Sequence, residues 1–253
     1  MPNSDTKENV LETLRARLRS EPRLGPSFRP DELGLDDAGG LTLAGEVSSV
    51  AAKKRALEIA AAFDTVTAIV DRLHVVPASR MGDAEIRSHL RDFFALEPAF
   101  SGYAIRQLKS ETYTPGFQQV YEAIAGDPAT ARGQIDIEVR DGSVTLNGHV
   151  PGLTSKRLAG VMAWWVPGVR DVVNGLEVVP PEEDAPIRIE DAVRYVLERN
   201  PYVDAGQIRV GVRIRDVRLT GFVRGEAERD MAERDAWCVF GVDSVINEIA
   251  VQP

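Results

Sequence analysis

Hydrophobic and polar residues alternate along two stretches of the chain in the pattern of a half-exposed strand. In residues 134–140 the apolar Ile135, Ile137 and Val139 alternate with polar residues, and residues 208–212 repeat the alternation. A period of two places one set of side chains on a covered face and the other set in water. Each stretch is therefore predicted to be a β-strand with one exposed face.

A second strand follows each of these two stretches. Asp141 and Gly142 supply the backbone freedom of a tight hairpin before residues 144–147, so the two strands are predicted to be antiparallel neighbours. At the corresponding place after residues 208–212, the chain has Ile214 and Arg215. Neither residue favours such a turn. That hairpin is expected to close differently, for example through Asp216.

Helical patterns stand on both sides of the strand pairs. Residues 115–125 and 189–199 are each predicted to form a helix that ends near a proline. After the second strand comes another helix, whose inward face has the i, i+3, i+4, i+7 spacing of an amphipathic helix. In the helix after residues 144–147 that face is Ala159, Met162, Ala163 and Val166, and an equivalent helix nearer the N-terminus has Ala56, Ile59, Ala60 and Phe63. A last strand, residues 171–178, is expected to return parallel to its neighbour.

These elements recur because the sequence contains an internal repeat. Residues 116–178 align without a gap on residues 189–251, and residues 39–75 align on residues 142–178. The matched positions include the glycines Gly45, Gly148 and Gly221, and the pairs Gly168 and Gly241, Asn174 and Asn247, and Trp164 and Trp237. Self-similarity at such a period indicates one supersecondary unit that is built several times.

The chain is therefore predicted to be an α+β protein of three tandem αββαβ modules, each a three-stranded mixed sheet covered by two helices. The modules are assigned to residues 1–77, 114–180 and 187–253, and the first is the most divergent. Residues 180–186 contain three prolines and three acidic residues. This composition predicts a stiff, charged spacer between the second and third modules.

Residues 78–113 match no other part of the chain. Asp83, followed by the apolar stripe Ile86, Leu90, Phe93 and Phe94, predicts a capped amphipathic helix. The preferred interpretation is an extra helix that connects two modules. The alternative is that this helix is the first helix of the second module, which makes residues 97–126 an insertion.

One polar residue interrupts the helix pattern of the third copy. Asp235 stands at the position of Ile59 and Met162 in the other copies. The third helix is therefore either rotated on its sheet or carries a polar contact, and the pattern does not choose between the two.

The repeat as a whole resembles the BON domain, which is named after bacterial osmotic-stress and nodulation proteins. The residues that carry the resemblance in the second copy are Gly148, Val150, Ala159, Ala163, Gly168, Val169, Val172 and Asn174. In the first copy Thr65 and Asp71 replace the late glycine and the asparagine. The resemblance implies an αββαβ fold without catalytic residues. It also implies attachment to phospholipid surfaces, stress tolerance or, in one cytoplasmic branch, potassium binding.

Composition narrows the functions further. The chain has 253 residues, 43% of them hydrophobic, a formal net charge of -9 and one cysteine, Cys238. A negative net charge is unfavourable for binding nucleic acid, and a single cysteine forms neither an internal disulfide nor a thiolate metal cluster. No signal peptide, lipidation cysteine or transmembrane stretch is evident. We therefore expect a cytoplasmic protein without cofactors, at most peripheral to a membrane.

Few residues stand out as candidates for contact with a partner. Trp165 lies beside the repeated Trp164 and is expected to contact a partner or lipid as readily as the core. Arg15, Arg19 and Arg23 accompany the apolar stripe of the N-terminal helix, which could lie on anionic lipid but is expected mainly to cover the sheet. His74, His89 and His149 are too far apart for a metal site and are expected at the surface.

The leading functional hypothesis is a non-catalytic scaffold. Its repeated modules would self-associate and dock to an anionic membrane surface or a protein partner, because linked weak sites gain avidity. The alternative is a stress-response sensor whose backbone carbonyls enclose a potassium ion or another small ligand. A catalytic site is not expected.

Overall fold

The computed structural model describes residues 4–109 and 120–252. The chain divides into two compact units, Met1–Val76 and Pro77–Pro253. The first unit contains one module and the second unit contains two. Each unit has its own mixed sheets with helices packed on one face.

The first unit follows the predicted order of elements. These are α1 (Ser4–Ser20), β1 (Glu32–Leu35), β2 (Gly40–Val47), α2 (Val50–Ala61) and β3 (Ala68–Val75). β1 is antiparallel to β2, and β2 is parallel to β3. Its core joins both helices to the sheet through Leu14, Leu18, Leu41, Leu43, Ala56, Ala60 and Leu73, among others. The alternating pattern and the alanine spacing therefore predicted this module correctly.

The second unit begins with a module that is larger than predicted. Its elements are α3 (Asp83–Leu96), β4 (Ala104–Leu108), β5 (Tyr121–Ala125), β6 (Gln134–Arg140), β7 (Ser143–Val150), α4 (Leu153–Trp164), β8 (Asp171–Asn174) and β9 (Glu177–Val178). The sheet has six strands, in the order β5, β4, β6, β7 and β8, with β9 also beside β7. The predicted last strand is thus divided into β8 and β9, both parallel to β7.

The helix predicted at residues 115–125 is wrong over the part that the structure describes. Residues Tyr121–Ala125 form the strand β5, which pairs antiparallel with β4. Residues 115–119 of that prediction lie outside the described residues. The ungapped alignment misled the prediction, because similarity to the third module does not reveal that a hairpin has been inserted before β6.

The helix that covers this sheet is α3. Its Ile86, Leu90 and Phe94 side chains are fully buried, and the helix packs on β4, β5, β6 and α4. This is the alternative arrangement left open by the sequence, with α3 as the first helix of the second module. Asp83 does not cap the helix; its carboxylate instead accepts hydrogen bonds from the backbone N–H groups of Asp141 and Gly142, each at 2.8 Å.

The third module has the predicted αββαβ order. It comprises α5 (Pro186–Arg199), β10 (Ile208–Arg213), β11 (Asp216–Val223), α6 (Glu226–Cys238) and β12 (Ser244–Val251). β10 is antiparallel to β11, and β11 is parallel to β12. The fold class predicted from the sequence is therefore confirmed, with one enlarged sheet.

The hairpin of the third module does not close through Asp216. Asp216 is the first residue of β11 and pairs with Arg213, so the turn is the two residues Ile214 and Arg215. Ile214 adopts a φ of 59°, close to the 51° of Asp141 in the second module. A β-branched residue rarely takes this left-handed conformation. The pairing of the flanking strands therefore imposes a turn that the local sequence disfavours.

Candidate interaction surfaces

The repeated asparagines fasten the last strand to the helix before it. Asn174 donates to the Lys156 carbonyl at 2.7 Å, and Asn247 donates to the Arg229 carbonyl at the equivalent position, at 3.1 Å. Each side-chain oxygen also accepts a backbone N–H two residues further on. Asparagine at this position therefore has a structural task in both modules.

In the first module, an ion pair fastens the last strand to the helix before it. Asp71 replaces the asparagine, and its carboxylate lies 3.0 Å from Nζ of Lys53, which stands where Lys156 does. Asp71 also accepts the backbone N–H of Leu73 at 2.9 Å. An ion pair between a buried lysine and a partly exposed aspartate thus takes over from an amide hydrogen bond, which explains why this copy departs from the repeat.

Repeated glycines allow the first and second strands to approach closely. Gly148 and Gly221 have φ values of 111° and 132°, in the region that favours glycine. A Cβ atom would lie 2.3 Å from the Gln134 carbonyl oxygen at Gly148 and 2.0 Å from the Gln207 carbonyl oxygen at Gly221. Gly45 also has a positive φ. These glycines are required by the backbone and not by a ligand.

Two glycines later in the repeat, Gly168 and Gly241, lie where neighbouring atoms leave little room for a side chain. At Gly168 a Cβ atom would lie 2.5 Å from Cβ of Met81, and Gly241 combines a φ of 93° with a close approach to Arg157. Both positions therefore belong to the packing of the second unit.

Trp165 makes a contact inside the chain. Its indole Nε1 donates to the Asp235 carboxylate at 2.8 Å, and the side chain is half-buried. Trp164 is also half-buried, whereas Trp237 is buried in the third module. The polar group of Trp165 is thus used between the second and third modules, and its predicted contact with an outside partner stays a prediction.

Asp235 carries the polar contact that the sequence left as one alternative. Besides Trp165, it accepts a hydrogen bond from Nδ2 of Asn200 at 2.6 Å, and only 4% of the residue is exposed. Burial raises the pKa of Asp235, and the two hydrogen bonds partly oppose this shift. The aspartate therefore joins α6 to both α5 and the end of α4.

Arg157 provides the second connection between these modules. The residue is fully buried, and its Nε donates to the Phe240 carbonyl at 2.7 Å. Its Nη2 forms an ion pair with Asp184 in the spacer. The arginine of one module therefore reaches the last turn of the next, and the spacer holds its charge.

The spacer itself is attached to the second module. Glu182 accepts the backbone N–H of Leu153 at 2.9 Å, at the start of α4, where Gly152 offers no side-chain cap. A carboxylate is favourable at a helix N-terminus. Glu182 and Asp184 thus attach a segment that its composition alone describes as a spacer.

The predicted arginine cluster lies on the first unit. Arg15 and Arg19 are exposed on α1, and Arg23 is exposed shortly after it. Leu14 and Leu18 of the same helix are fully buried against the sheet. The apolar stripe of α1 is therefore used by its own module, and lipid contact by the arginines stays a prediction.

An exposed surface that the sequence analysis missed is the uncovered face of the third sheet. Phe222 and Ile246 are 54% and 46% exposed there. Arg209, Arg213 and Arg218 are exposed on the same face. The signal was present, since Arg209, Gly211 and Arg213 alternate with Val210 and Val212. The alternation was used to find the strands and not to ask what their wet face offers.

The corresponding face of the second sheet is polar and largely paired. Arg106 on β4 makes two hydrogen bonds to Asp136 on β6, at 2.7 and 2.6 Å. The Tyr121 hydroxyl on β5 donates to Glu138 on β6. Burial and this carboxylate raise the pKa of Tyr121. The inserted hairpin therefore satisfies charges on the strand that it covers.

A family model for the BON domain matches residues 8–77, 118–180 and 188–253. These matches cover most of the chain. The chain belongs to the BON domain family.

The first and third BON matches span the first and third modules, and the second match covers the part of the second module from residue 118 onward. Proteins of this family are generally non-enzymatic binding proteins. Among the described residues no cluster of three or more His, Cys, Asp or Glu side chains could hold a metal ion. In the same part of the chain, no helix is long and apolar enough to cross a bilayer.

Comparison with solved structures finds distant likenesses, among them two structures of CdsD of Chlamydia trachomatis, a structural protein of its type III secretion system. For its C-terminal domain, sequence identity is 12%, the match covers 97% of this BON protein and 98% of that chain, and the TM-score is 0.25. A second CdsD structure gives 12% identity, coverage of 97% and 93%, and a TM-score of 0.24. A search of curated proteins found no match.

Proposed function

We propose that this BON protein is a non-catalytic scaffold that self-associates and docks to an anionic phospholipid surface through the uncovered face of its third sheet. The observation that carries the proposal is the pairing of exposed apolar side chains with exposed arginines on that face. Phe222 and Ile246 supply the apolar part, and Arg209, Arg213 and Arg218 supply the charge.

The register of the strands brings these groups together. Arg218 is the cross-strand neighbour of Ile246, and Phe222 follows on the same face of β11. Neighbouring strands lie about 4.8 Å apart. Guanidinium groups bind phosphates well, and exposed apolar side chains beside them enter the boundary between head groups and acyl chains.

Attraction to an anionic membrane is expected to be local to this face and not a property of the whole chain. The net charge of -9 repels an anionic membrane, and Glu248 forms an ion pair with Arg218 at 3.4 Å. Both side chains of that pair are about half exposed, so the pair is weak and Arg218 can exchange Glu248 for a phosphate. Binding is therefore expected to depend on salt.

Vesicle flotation tests this proposal. The protein should float with vesicles that contain phosphatidylglycerol and not with pure phosphatidylcholine, and high salt should weaken the binding. Changing Phe222→Ser and Ile246→Ser together should lower the affinity at least about tenfold, because both apolar contacts are lost. Val173→Ser is the matched control, since Val173 occupies the position of Ile246 on the second sheet and is 53% exposed.

Two results would contradict the lipid part of the proposal. One is equal flotation with neutral and anionic vesicles, and the other is unchanged binding by the double variant. If only a protein captured from solution distinguishes the double variant from the control, the partner is a protein. The cytoplasmic location stays a prediction.

The potassium alternative is tested by a thermal melt in potassium against sodium. A ligand that binds only the folded state raises the midpoint of unfolding. Equal midpoints of unfolding in the two salts would contradict the potassium alternative.

A further inference from the structure

Two of the three modules leave one outer edge of their sheet without a neighbouring strand among the described residues. β1 and β10 are the terminal strands at these edges, whereas the equivalent strand β6 is covered by β4. Hydrogen bonds alternate along an antiparallel pair. Because Arg213 and Asp216 flank the two-residue turn, the backbone groups of Val210 and Val212 face the open edge. An edge of this kind is a template for another strand.

Glycine occupies the centre of both open strands. Gly34 lies opposite Thr42, and Gly211 lies opposite Arg218, at the position that Glu138 has in β6. Neither glycine has a positive φ, and a Cβ atom would meet nothing within 4 Å at either one. Their own modules therefore do not require glycine there. Glycine inside a strand is typical of places where another backbone approaches closely.

The two open edges carry opposite charges. Residues 31–37 contain four acidic residues and no basic residue, whereas residues 208–215 contain three arginines and no acidic residue. Asp31 and Glu32 are exposed on the first edge, and Arg209 and Arg213 are exposed on the other. Pairing between two edges of the same kind would therefore place like charges together, which is unfavourable.

The spacing of the charges along β1 also matches the spacing along β10. With Gly34 placed opposite Gly211, an antiparallel arrangement sets Glu32 across from Arg213 and Asp36 across from Arg209. In the same arrangement Leu33 and Leu35 meet Val210 and Val212 on the opposite face, because side chains alternate along a strand.

The second module already contains a pairing of this type within the chain. β4 lies parallel to β6, and Arg106 stands directly opposite Asp136. The two side chains form two hydrogen bonds, at 2.7 and 2.6 Å. Asp136 occupies the strand position of Glu32 in the first module and of Arg209 in the third. This edge of the BON module therefore accepts an added strand with an arginine–carboxylate pair at that point.

From these observations we infer that β10 of one copy of the chain adds to β1 of a second copy, giving a head-to-tail assembly. This inference rests on the proposed scaffold function and names its self-association surface. The contact joins two different surfaces, so a pair of copies keeps one free edge of each kind, one on either copy. Such contacts generate rings or open filaments rather than a closed twofold dimer.

Existing contacts in the two edges decide which residues can test the assembly. Glu32 forms an ion pair with Arg72 at 3.2 Å, but both side chains are more than half exposed, so this pair is weak. Asp36 accepts two backbone N–H groups in its turn and is left unchanged. Arg215 pairs with Asp243 and is also left unchanged. The test therefore uses Glu32 and Arg213, which face each other in the antiparallel arrangement.

The experiment is light scattering of the full chain over a range of concentrations. The wild type should show a molar mass above that of the monomer, which rises with concentration and falls with added salt. Variant one carries Arg213→Glu, and variant two carries Glu32→Lys. Each alone should associate much more weakly than the wild type, because the changed residue then faces a residue of like charge on the other edge.

Two combinations should restore association. A mixture of variants one and two should associate, and so should a single chain that carries both changes, since opposite charges then face each other again. The matched control is Arg188→Glu, which makes the same change of charge as variant one at an exposed arginine away from the edge. This control should associate like the wild type, and circular dichroism should show that every variant is folded.

Several outcomes overturn the inference. A wild type that stays monomeric at all concentrations does so, as does a variant that alone associates as strongly as the wild type. Failure of the chain with both changes to associate also overturns it. Vesicle flotation separates this failure from failure of the proposed function, because a monomer that floats with anionic vesicles keeps the docking role and loses only the assembly.

Discussion

In the second module the strand β6 has neighbours on both sides, whereas the equivalent strand β10 of the third module has a neighbour on one side only. On the side where β4 and then β5 extend the sheet, the charges of β6 are paired with Arg106 and Tyr121. In β10 the same positions carry arginines and a glycine that face solvent. One backbone plan therefore yields a closed edge in one copy and an open edge in the next, and the inserted hairpin makes the difference.

The two modules also share the contact that holds them together. Arg157 and Trp165 of the second module meet the Phe240 carbonyl and Asp235 of the third. The position of Asp235 is apolar in the other copies, so a residue that breaks the repeat marks the place where two repeats meet. Departures from a repeat are thus as informative as the repeat itself.

The largest expected effect breaks this contact. Arg157→Ala should lower the free energy of unfolding of the second unit by about 3 kcal/mol, because it leaves a cavity and removes the partner of Asp184. Urea unfolding followed by tryptophan fluorescence measures it. Arg157→Met should cost less, since it fills the space, and Arg188→Ala on the exposed side of α5 is the control. Equal stability of the Ala variant and this control would contradict the role of Arg157.

A second prediction separates two glycines of the third module. Gly221→Ala should cost about 2 kcal/mol, because alanine is strained at a φ of 132° and its Cβ would collide with the Gln207 carbonyl. Gly211→Ala should leave the stability unchanged or slightly raised, because its Cβ meets nothing. Chemical unfolding of the two variants compares them directly. Similar losses of stability in both variants would mean that the position of Gly211 does not tolerate a side chain either.

A smaller gain is expected at the hairpin that distinguishes the two modules. Ile214→Gly should raise the free energy of unfolding by about 1 kcal/mol, because it relieves a left-handed isoleucine. Asp141→Gly in the second module should gain less, since aspartate tolerates this conformation better than isoleucine. Thermal melts of both variants would show the order. A loss of stability in Ile214→Gly would indicate that its side chain makes a contact that outweighs the strain.

The smallest effect concerns the pH dependence of Asp235. Its pKa is raised by burial, so the folded state binds the proton more tightly than the unfolded state. The resulting stability is present at low pH and is lost as the pH rises through the raised pKa. Relative to Asp235→Asn, the wild type should therefore gain stability as the pH falls, with a slope below about 1.4 kcal/mol per pH unit. Urea titrations at several pH values test this, and parallel profiles would contradict it.

Much of the fold was accessible from local patterns. The alternation in β6 and β10, the alanine spacing in α2 and α4, and the amphipathic stripe of α3 each involve residues that are close in sequence. Their predicted elements agree with the structure. The prediction failed at residues 121–125, where alignment to the third module suggested a helix and the pairing with β4 makes a strand.

The sequence by itself determined the repeated αββαβ plan, because covered faces, helix stripes and obligatory glycines leave a periodic trace in the residues that form them. Only the tertiary structure decided which strand edges are covered, where the spacer attaches and how Arg157 and Asp235 join two modules. Those features depend on groups far apart along the chain whose distances no local pattern records. The complementary edges of β1 and β10 became recognisable once the structure showed that β6, their equivalent, already has a partner.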